Sequence, residues 1–371
     1  MTTSPSFRAP QGEEAEPAPQ GTRREQPWGE RRWWEQLSTE HMKDSAPGQW
    51  VQDYLPGCSR MTLPLGEDFE GPVSATLVRL DQQPSARPDD QPDQQPSAPV
   101  LQLHGWSDYF YNLPTAQRWA AGGHRFYALD LRKYGRSLRQ HQTPGHIESL
   151  QQYDTEIAAA LAIMAEENPQ SPAPIISAHS TGGLVAALWA ERNPHRLSAL
   201  VLNSPWLELP GDALARAAAE GIVTPLGAVN PTATLRVPRL ETYWESLSDE
   251  AHGEWRLHPL WRPRKSFRMT VGWLKAVFAG HRRIYEGLDM EVPVLVLLST
   301  ATVYRAQWTP EHQVKDSVLD VELLARRAVR LGRRVTVVRL PSAMHDVFAS
   351  GEQVRRTAYA ETARWLRGYA P

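Results

Sequence analysis

The chain has 371 residues, 41% of them hydrophobic, and a formal net charge of −2, so it can bury a large core but sets up no global field that would favour nucleic acid or an acidic membrane. Arg outnumbers Lys 35 to 5, yet the arginines are spread along the chain and read as compositional bias rather than as a phosphate site. The single cysteine, Cys58, excludes a disulfide scaffold and a Cys-rich zinc site.

Met1-Thr2-Thr3-Ser4-Pro5 lacks the basic and apolar regions of a secretory signal. No stretch approaches the roughly 18 consecutive apolar residues of a membrane span, so the expectation is a soluble, cytoplasmic protein. Residues 1–27 are rich in Pro, Gln, Glu and small residues and are expected to form a disordered tail, since they bury too little to offset ordering entropy. Trp28, Trp33, Trp34, Leu37, Trp50, Tyr54 and Leu55 then suggest an N-terminal strap over 28–57, or alternatively a partner site. Cys58, in Leu55-Pro56-Gly57-Cys58-Ser59, reads as a bystander thiol in a turn. Asp81-Gln82-Gln83-Pro84-Ser85-Ala86 recurs as Asp93-Gln94-Gln95-Pro96-Ser97-Ala98, which predicts a mobile surface insertion between strands at 73–80 and 100–103.

Beyond this insertion, near-continuous apolar runs predict buried strands at Val100–Leu103, Arg125–Leu129, Ile175–Ala178, Ala199–Asn203, Val294–Ser299 and Val335–Leu340. Helical periodicity fits 113–121, 148–167, 181–192, 318–331 and 350–367. The alternation predicts an α/β fold, a mostly parallel sheet with helices on both faces. Residues 206–290 break it: they carry Trp206, Trp244, Trp255, Trp261 and Trp273 but no clear buried strand. They are expected to form a helical cap or lid inserted between two parts of the core, 28–205 and 291–371.

The chemistry centres on Ala178-His179-Ser180-Thr181-Gly182, a relaxed G-x-S-x-G turn between a strand and a helix. Such a turn strains its serine and lifts the hydroxyl clear of the sheet. A serine needs a positioned base, itself oriented by a third group. His345 follows the last strand in Pro341-Ser342-Ala343-Met344-His345-Asp346, at the carboxyl edge where such sheets place their sites. After the preceding strand come Glu311, Asp316 and Asp320. Asp316 is the preferred acid, although it could be a helix N-cap, and Asp320 could equally start the helix. The oxyanion donors are expected to be the N–H groups of Thr181 and Trp106. Trp106 stands in His104-Gly105-Trp106-Ser107-Asp108, where His104 reads as structural.

Together with Asp130-Leu131-Arg132-Lys133-Tyr134-Gly135-Arg136-Ser137, these motifs resemble the α/β-hydrolase superfamily, in particular its serine aminopeptidase-like branch with monoacylglycerol lipases and lysophospholipases. The resemblance covers roughly residues 50–370. It implies an α/β-hydrolase fold with a cap, a Ser180–Asp316–His345 triad, oxyanion roles for Trp106 and Thr181, and a structural role for Asp130 through Ser137. Two departures stand out: Ala178 replaces the first Gly of the elbow, and about 16 residues separate Ser299 from Asp316, more than the family usually shows.

The leading functional reading is hydrolysis of a carboxylic ester with an apolar acyl group, with Trp206, Trp244 and Trp261 lining the pocket. The expected partner is a small ester or lipid-like substrate, with no nucleic acid involved. No metal or nucleotide cofactor is expected, because H-E-x-x-H, G-x-G-x-x-G and Walker patterns are missing from the relevant junctions. A peptidase acting on a free N-terminus would instead need an acidic anchor in the cap, such as Glu241, Glu245 or Glu254. A non-catalytic binding protein on the same fold is the third reading.

Overall fold

The computed structural model describes residues 44–82, 97–209, 211, 213–236, 239 and 241–369. The 1–27 tail, with Trp28, Trp33, Trp34 and Leu37, and most of the 81–98 repeat lie outside them.

Among the described residues nine strands form one sheet. The strands are β1 (Val51–Gln52), β2 (Cys58–Asp68), β3 (Gly71–Leu80), β4 (Val100–Leu103), β5 (Phe126–Asp130), β6 (Ile175–His179), β7 (Ala199–Asn203), β8 (Val294–Ser299) and β9 (Val335–Leu340). Their order is β1-β2-β3-β5-β4-β6-β7-β8-β9. From β1 to β5 neighbours pair antiparallel; from β5 onward every pair is parallel. The helices are α1 (Leu113–Ala121), α2 (Asp154–Glu167), α3 (Thr181–Arg192), α4 (Ala213–Val229), α5 (Thr242–Leu247), α6 (Val271–Glu286), α7 (Val321–Ala328) and α8 (Glu352–Tyr369). The architecture is an α/β-hydrolase fold.

Period-two alternation divides the core between two faces. Leu101, Leu103, Ile176, Ala178, Leu200, Leu202, Val294 and Val296 pack under α2, α3 and α6. Val100, Ile175, Ala199, Val201, Leu295 and Leu297 face the side covered by α1 and α8. The chain leaves β4 toward β5 on one side, then crosses back to β6 on the other. The sheet therefore has its topological switch between β4 and β6, where a crevice opens at the carboxyl ends. The His104–Trp106 turn and Ser180 follow those two strands.

Local chemistry sets the helix limits. The Asn112 carboxamide accepts from the Thr115 N–H at 3.1 Å and starts α1. Asp320 accepts from the Glu322 and Leu323 N–H groups, so α7 begins at Val321 rather than at 318. The stretch expected as one helix from 148 opens with a 3-10 turn at Leu150–Tyr153, capped by Ser149. β9 is an edge strand and mostly half-buried, unlike the strands buried on both faces. Cys58 is not in a turn: it opens β2, is fully buried, and burial pushes its thiol up to about 12.

The described part of the 28–57 segment is docked. The Trp50 indole N–H donates to Glu167 at 2.7 Å, and Leu55 joins the core. Asp53 accepts from two of the three nitrogens of the buried Arg136 guanidinium, Nε and Nη2, at 2.8 Å, while Asp130 accepts from the third, Nη1, at 2.7 Å. Removing one partner from such a buried network costs about 3–5 kcal/mol, because a charge is left unpaired. Asp130 through Ser137 thus ties the N-terminal segment to the sheet.

Between β7 and β8 the chain runs through α4, α5 and α6. α6 lies on the core: a Cβ at Gly280 would stand 2.8 Å from Leu150 and 3.1 Å from Leu188. Thr270 caps α6 by accepting from the Trp273 N–H.

Candidate active site

Ser180 sits between the end of β6 and the start of α3, with φ 52° and ψ −119°. A side-chain-bearing residue holds such a backbone only where its surroundings over-determine it. Here the Ser180 N–H donates to the Asn203 carbonyl at 3.0 Å, and the Ser180 carbonyl accepts from the Trp206 N–H at 2.9 Å. Strand and helix pass so closely that a Cβ at Gly182 would lie 2.3 Å from the His104 carbonyl oxygen. This explains the small residues after Ser180.

His345 spans Ser180 and Asp316. Its Nδ1 lies 2.9 Å from Asp316 Oδ2, and its Nε2 lies 3.0 Å from Ser180 Oγ. Nδ1–H donates to the carboxylate, which leaves Nε2 bare to accept from the serine hydroxyl. The other carboxylate oxygen of Asp316 accepts from the Val318 and Leu319 N–H groups, each at 2.8 Å. Asp316 and His345 are buried. Two other carboxylates that follow core strands lie elsewhere: Asp320 caps α7, and Glu208, the first carboxylate after β7, pairs with Arg327 at 2.8 Å. Beside His345, Asp346 accepts from the Asn203 amide at 2.6 Å and from the Phe348 N–H at 3.0 Å. It thereby holds the histidine loop against β7.

The turn after β4 lies directly against the serine. A Cβ at Gly105 would stand 3.0 Å from Ser180 Cβ, so the turn passes Ser180 one residue before Trp106. Thr181 opens α3, so its N–H points out of a helix N-terminus. His104 accepts through Nε2 from the Leu131 N–H at 3.0 Å.

The aromatic residues expected to line a pocket divide. Trp206 follows the site strand, and its ring lies 5.8 Å from that of Trp273. Trp273 in turn packs on Trp106 at 3.9 Å, and Phe267 meets Trp106 at 6.3 Å. Trp244 lies under the Arg264 guanidinium. Trp261 is only 1% exposed, stacked on His258 and packed against Tyr54 and Tyr109; its ring is spent on packing. Sequence reasoning passed over Tyr243, whose ring stands edge-on to His345 at 5.3 Å, and Arg262, which binds Asp108. No spacing in the sequence marks either one, since both reach the site across folded segments.

Burial pushes the Tyr243 hydroxyl up and the His179 imidazole down. Burial also opposes ionisation of Asp108, but the Arg262 guanidinium together with His179 and His104 holds the carboxyl below its usual range. The candidate amine anchors are all paired: Glu241 and Glu245 with Arg264, and Glu254 with Arg355. Among the described residues no group of three or more His, Cys, Asp or Glu side chains could hold a metal ion. No described helix is long and apolar enough to cross a membrane.

The sequence pattern of the family described as serine aminopeptidase, S33, matches residues 94–349, a stretch that contains every residue of this site. The chain belongs to that family. A monoacylglycerol lipase of Mycolicibacterium smegmatis is 32% identical over 117 residues, which are 31% of this chain and 40% of that protein. The match thus spans less than half of that relative. Among solved structures, a soluble variant of monoglyceride lipase from Saccharomyces cerevisiae, in complex with a substrate analog, superposes with a TM-score of 0.57. It is 14% identical, and the likeness covers 83% of this S33 chain and 96% of that one. A thermostable carboxyl esterase from Bacillus coagulans gives a TM-score of 0.57 at 14% identity, over 84% and 98% of the two chains. At that identity these likenesses bear on the fold alone.

Proposed function

We propose that the protein is a serine hydrolase of carboxylic esters with an apolar acyl group, working through an acyl-enzyme on Ser180. The observation that carries the reading is His345 lying between the Ser180 hydroxyl and the Asp316 carboxylate at hydrogen-bonding distance from each. His345 Nε2 takes the serine proton as Oγ adds to the ester carbonyl carbon. The N–H groups of Thr181 and Trp106 receive the oxyanion, and a helix N-terminus favours that charge. Collapse expels the alcohol, which takes the proton from His345. Water, deprotonated by the same nitrogen, then releases the acid and frees Ser180.

Ester is favoured over aminoacyl amide because the carboxylates that could grip an amine are held by arginines. The names of the monoacylglycerol lipase, monoglyceride lipase and esterase relatives point the same way. In this reading α4, α5 and the chain to Thr270 form a cap over the carboxyl edge of the sheet. Trp206, Trp273, Phe267 and Trp106 supply apolar walls. A fluorophosphonate probe tests the assignment: it should label the wild type, and Ser180→Ala should fold normally and take up no label. Full labelling of Ser180→Ala would overturn the reading.

A further inference from the structure

The turn after β4 is pinned to the core at its ends and to the cap in between. At its start His104 accepts from the Leu131 N–H, and at its end the Phe110 N–H donates to Asp130 at 2.9 Å. The three residues between Trp106 and Phe110 turn to the cap instead. Ser107 Oγ accepts from the Phe267 N–H at 3.0 Å. The Asp108 carboxylate holds the Arg262 guanidinium. The Tyr109 hydroxyl accepts from the His258 N–H at 2.9 Å. His258, Arg262 and Phe267 all belong to one stretch of the cap.

This turn carries strain. Ser107 has a φ of 52°, a left-handed conformation that lasts only where its surroundings enforce it. It directly follows Trp106. The Arg262–Asp108 pair is no surface bridge, since the two residues are 6% and 4% exposed. Arg262 also lies over the rings of Tyr111 and Tyr243, at 5.5 Å and 5.3 Å, and Tyr243 meets His345. The guanidinium therefore stands between the strained turn and the Tyr243 ring, which in turn meets His345 edge-on.

We propose that Arg262 is a positioning residue for the oxyanion hole: through Asp108 the seated cap sets the Trp106 N–H, so the cap assembles the catalytic turn as well as covering it. The inference rests on the reading of Ser180 as nucleophile and Trp106 as donor. A misplacement of about 1 Å in a reacting group can cost about 10²-fold in rate, so losing the hook on Asp108 should act on the transition state rather than on substrate binding.

Two ligands isolate the oxyanion from other contacts. An alkyl trifluoromethyl ketone accepts Ser180 Oγ at its carbonyl carbon; the serine proton passes to His345 Nε2, and the carbonyl oxygen becomes the oxyanion of a hemiketal. The matching secondary alcohol fits the same walls but cannot form an oxyanion. Arg262→Met should lower kcat on p-nitrophenyl butyrate by about 10²–10³-fold and leave KM within about threefold. It should weaken the ketone by a similar factor and leave the alcohol's Kd nearly unchanged. Arg262→Lys should restore part of the ketone affinity. Ser107→Ala leaves no charge buried and should act in the same direction more weakly, which keeps a test in hand should Arg262→Met not fold. A folded Arg262→Met, or failing that Ser107→Ala, that keeps the wild-type ratio of ketone to alcohol affinity overturns the inference. The reading of Ser180 fails separately, if the wild type itself gains no affinity for the ketone over the alcohol.

Discussion

Thr302 and Asp316 face each other in an isolated parallel bridge. The Asp316 N–H donates to the Ala301 carbonyl at 2.9 Å, and the Val303 N–H donates to the Asp316 carbonyl at 2.8 Å. The chain from 303 to 315 leaves this bridge and returns to it. The long gap after Ser299 is thus pinched off at its base, and the carboxylate stays within reach of His345.

Loss of an acid that orients the base costs about 10⁴ in turnover, because the imidazole takes the wrong tautomer. Asp316→Asn should show a loss of that order in kcat on p-nitrophenyl butyrate, with the fold retained. Asp320→Asn should leave kcat nearly unchanged, since Asn caps a helix about as well as Asp. Glu208→Gln breaks the pair with Arg327 and should reduce stability rather than turnover. A severe kcat loss confined to Asp320→Asn or Glu208→Gln would move the acid off Asp316.

The loop that leaves the bridge straps α5 and the turn after it. The Trp308 indole N–H donates to Ser246 Oγ at 3.0 Å, and its ring stacks on His252 at 3.5 Å. The Gln313 amide donates to the carbonyls of Ser246 and His252, both at 2.9 Å. Ser246 lies on α5, one turn from Tyr243. Gln313→Ala should cost about 1–3 kcal/mol, two hydrogen bonds' worth, and should open the 242–256 stretch to limited proteolysis. Urea unfolding and the cleavage pattern check this; a variant identical to wild type in both would show that the strap carries no load.

Apolar cap walls should set acyl preference. Each methylene buried is worth about 0.8 kcal/mol, roughly fourfold in specificity, until the pocket is full. kcat/KM should therefore rise from p-nitrophenyl acetate through butyrate before levelling off. Trp206→Ala should flatten that rise more than it lowers activity on acetate. A wild-type profile that falls steadily from acetate onward would mean a small or polar pocket.

His258 should make the fold sensitive to mild acid. Its Nδ1 accepts from the Leu260 N–H at 3.3 Å, and its ring lies on Trp261 at 4.0 Å. Burial, and then Arg136, lower its pKa from 6.5 to about 4. The unfolded chain therefore binds the extra proton between those values, so stability is full above about pH 6.5 and falls as pH drops toward 4. This ring alone accounts for a loss of about 3 kcal/mol at pH 4. His124, His146 and His179 are also lowered by burial and act in the same direction. His258→Asn keeps an acceptor near the Leu260 N–H without titrating. Its urea midpoint should fall less between pH 7 and 4.5 than that of the wild type; parallel curves would contradict the assignment.

Six strands from Val100 to Leu340 and the Ser180 elbow were legible in the sequence. Their signals are local: apolar runs of strand length, helical spacing, and small residues where strand and helix nearly touch. The expected chain order of serine, acid and histidine came from the resemblance to α/β-hydrolases; the strands then told which residues to look at, since β6, β8 and β9 precede Ser180, Asp316 and His345. Other features were not legible. β2 hides because its polar, Pro-containing end, Pro64–Asp68, breaks the alternation. Asp316 could be separated from Asp320 only by seeing that one faces His345 and the other caps α7. Trp261 and Tyr243 are aromatic residues of similar setting in the sequence, yet one is buried in packing and the other meets His345. The pairing of Arg262 with Asp108 joins positions 154 residues apart. Backbone periodicity and turn chemistry act within a few residues and are written in the chain, whereas the partner of a side chain across such a distance is chosen only when the core closes and burial makes an unpaired charge too costly to leave.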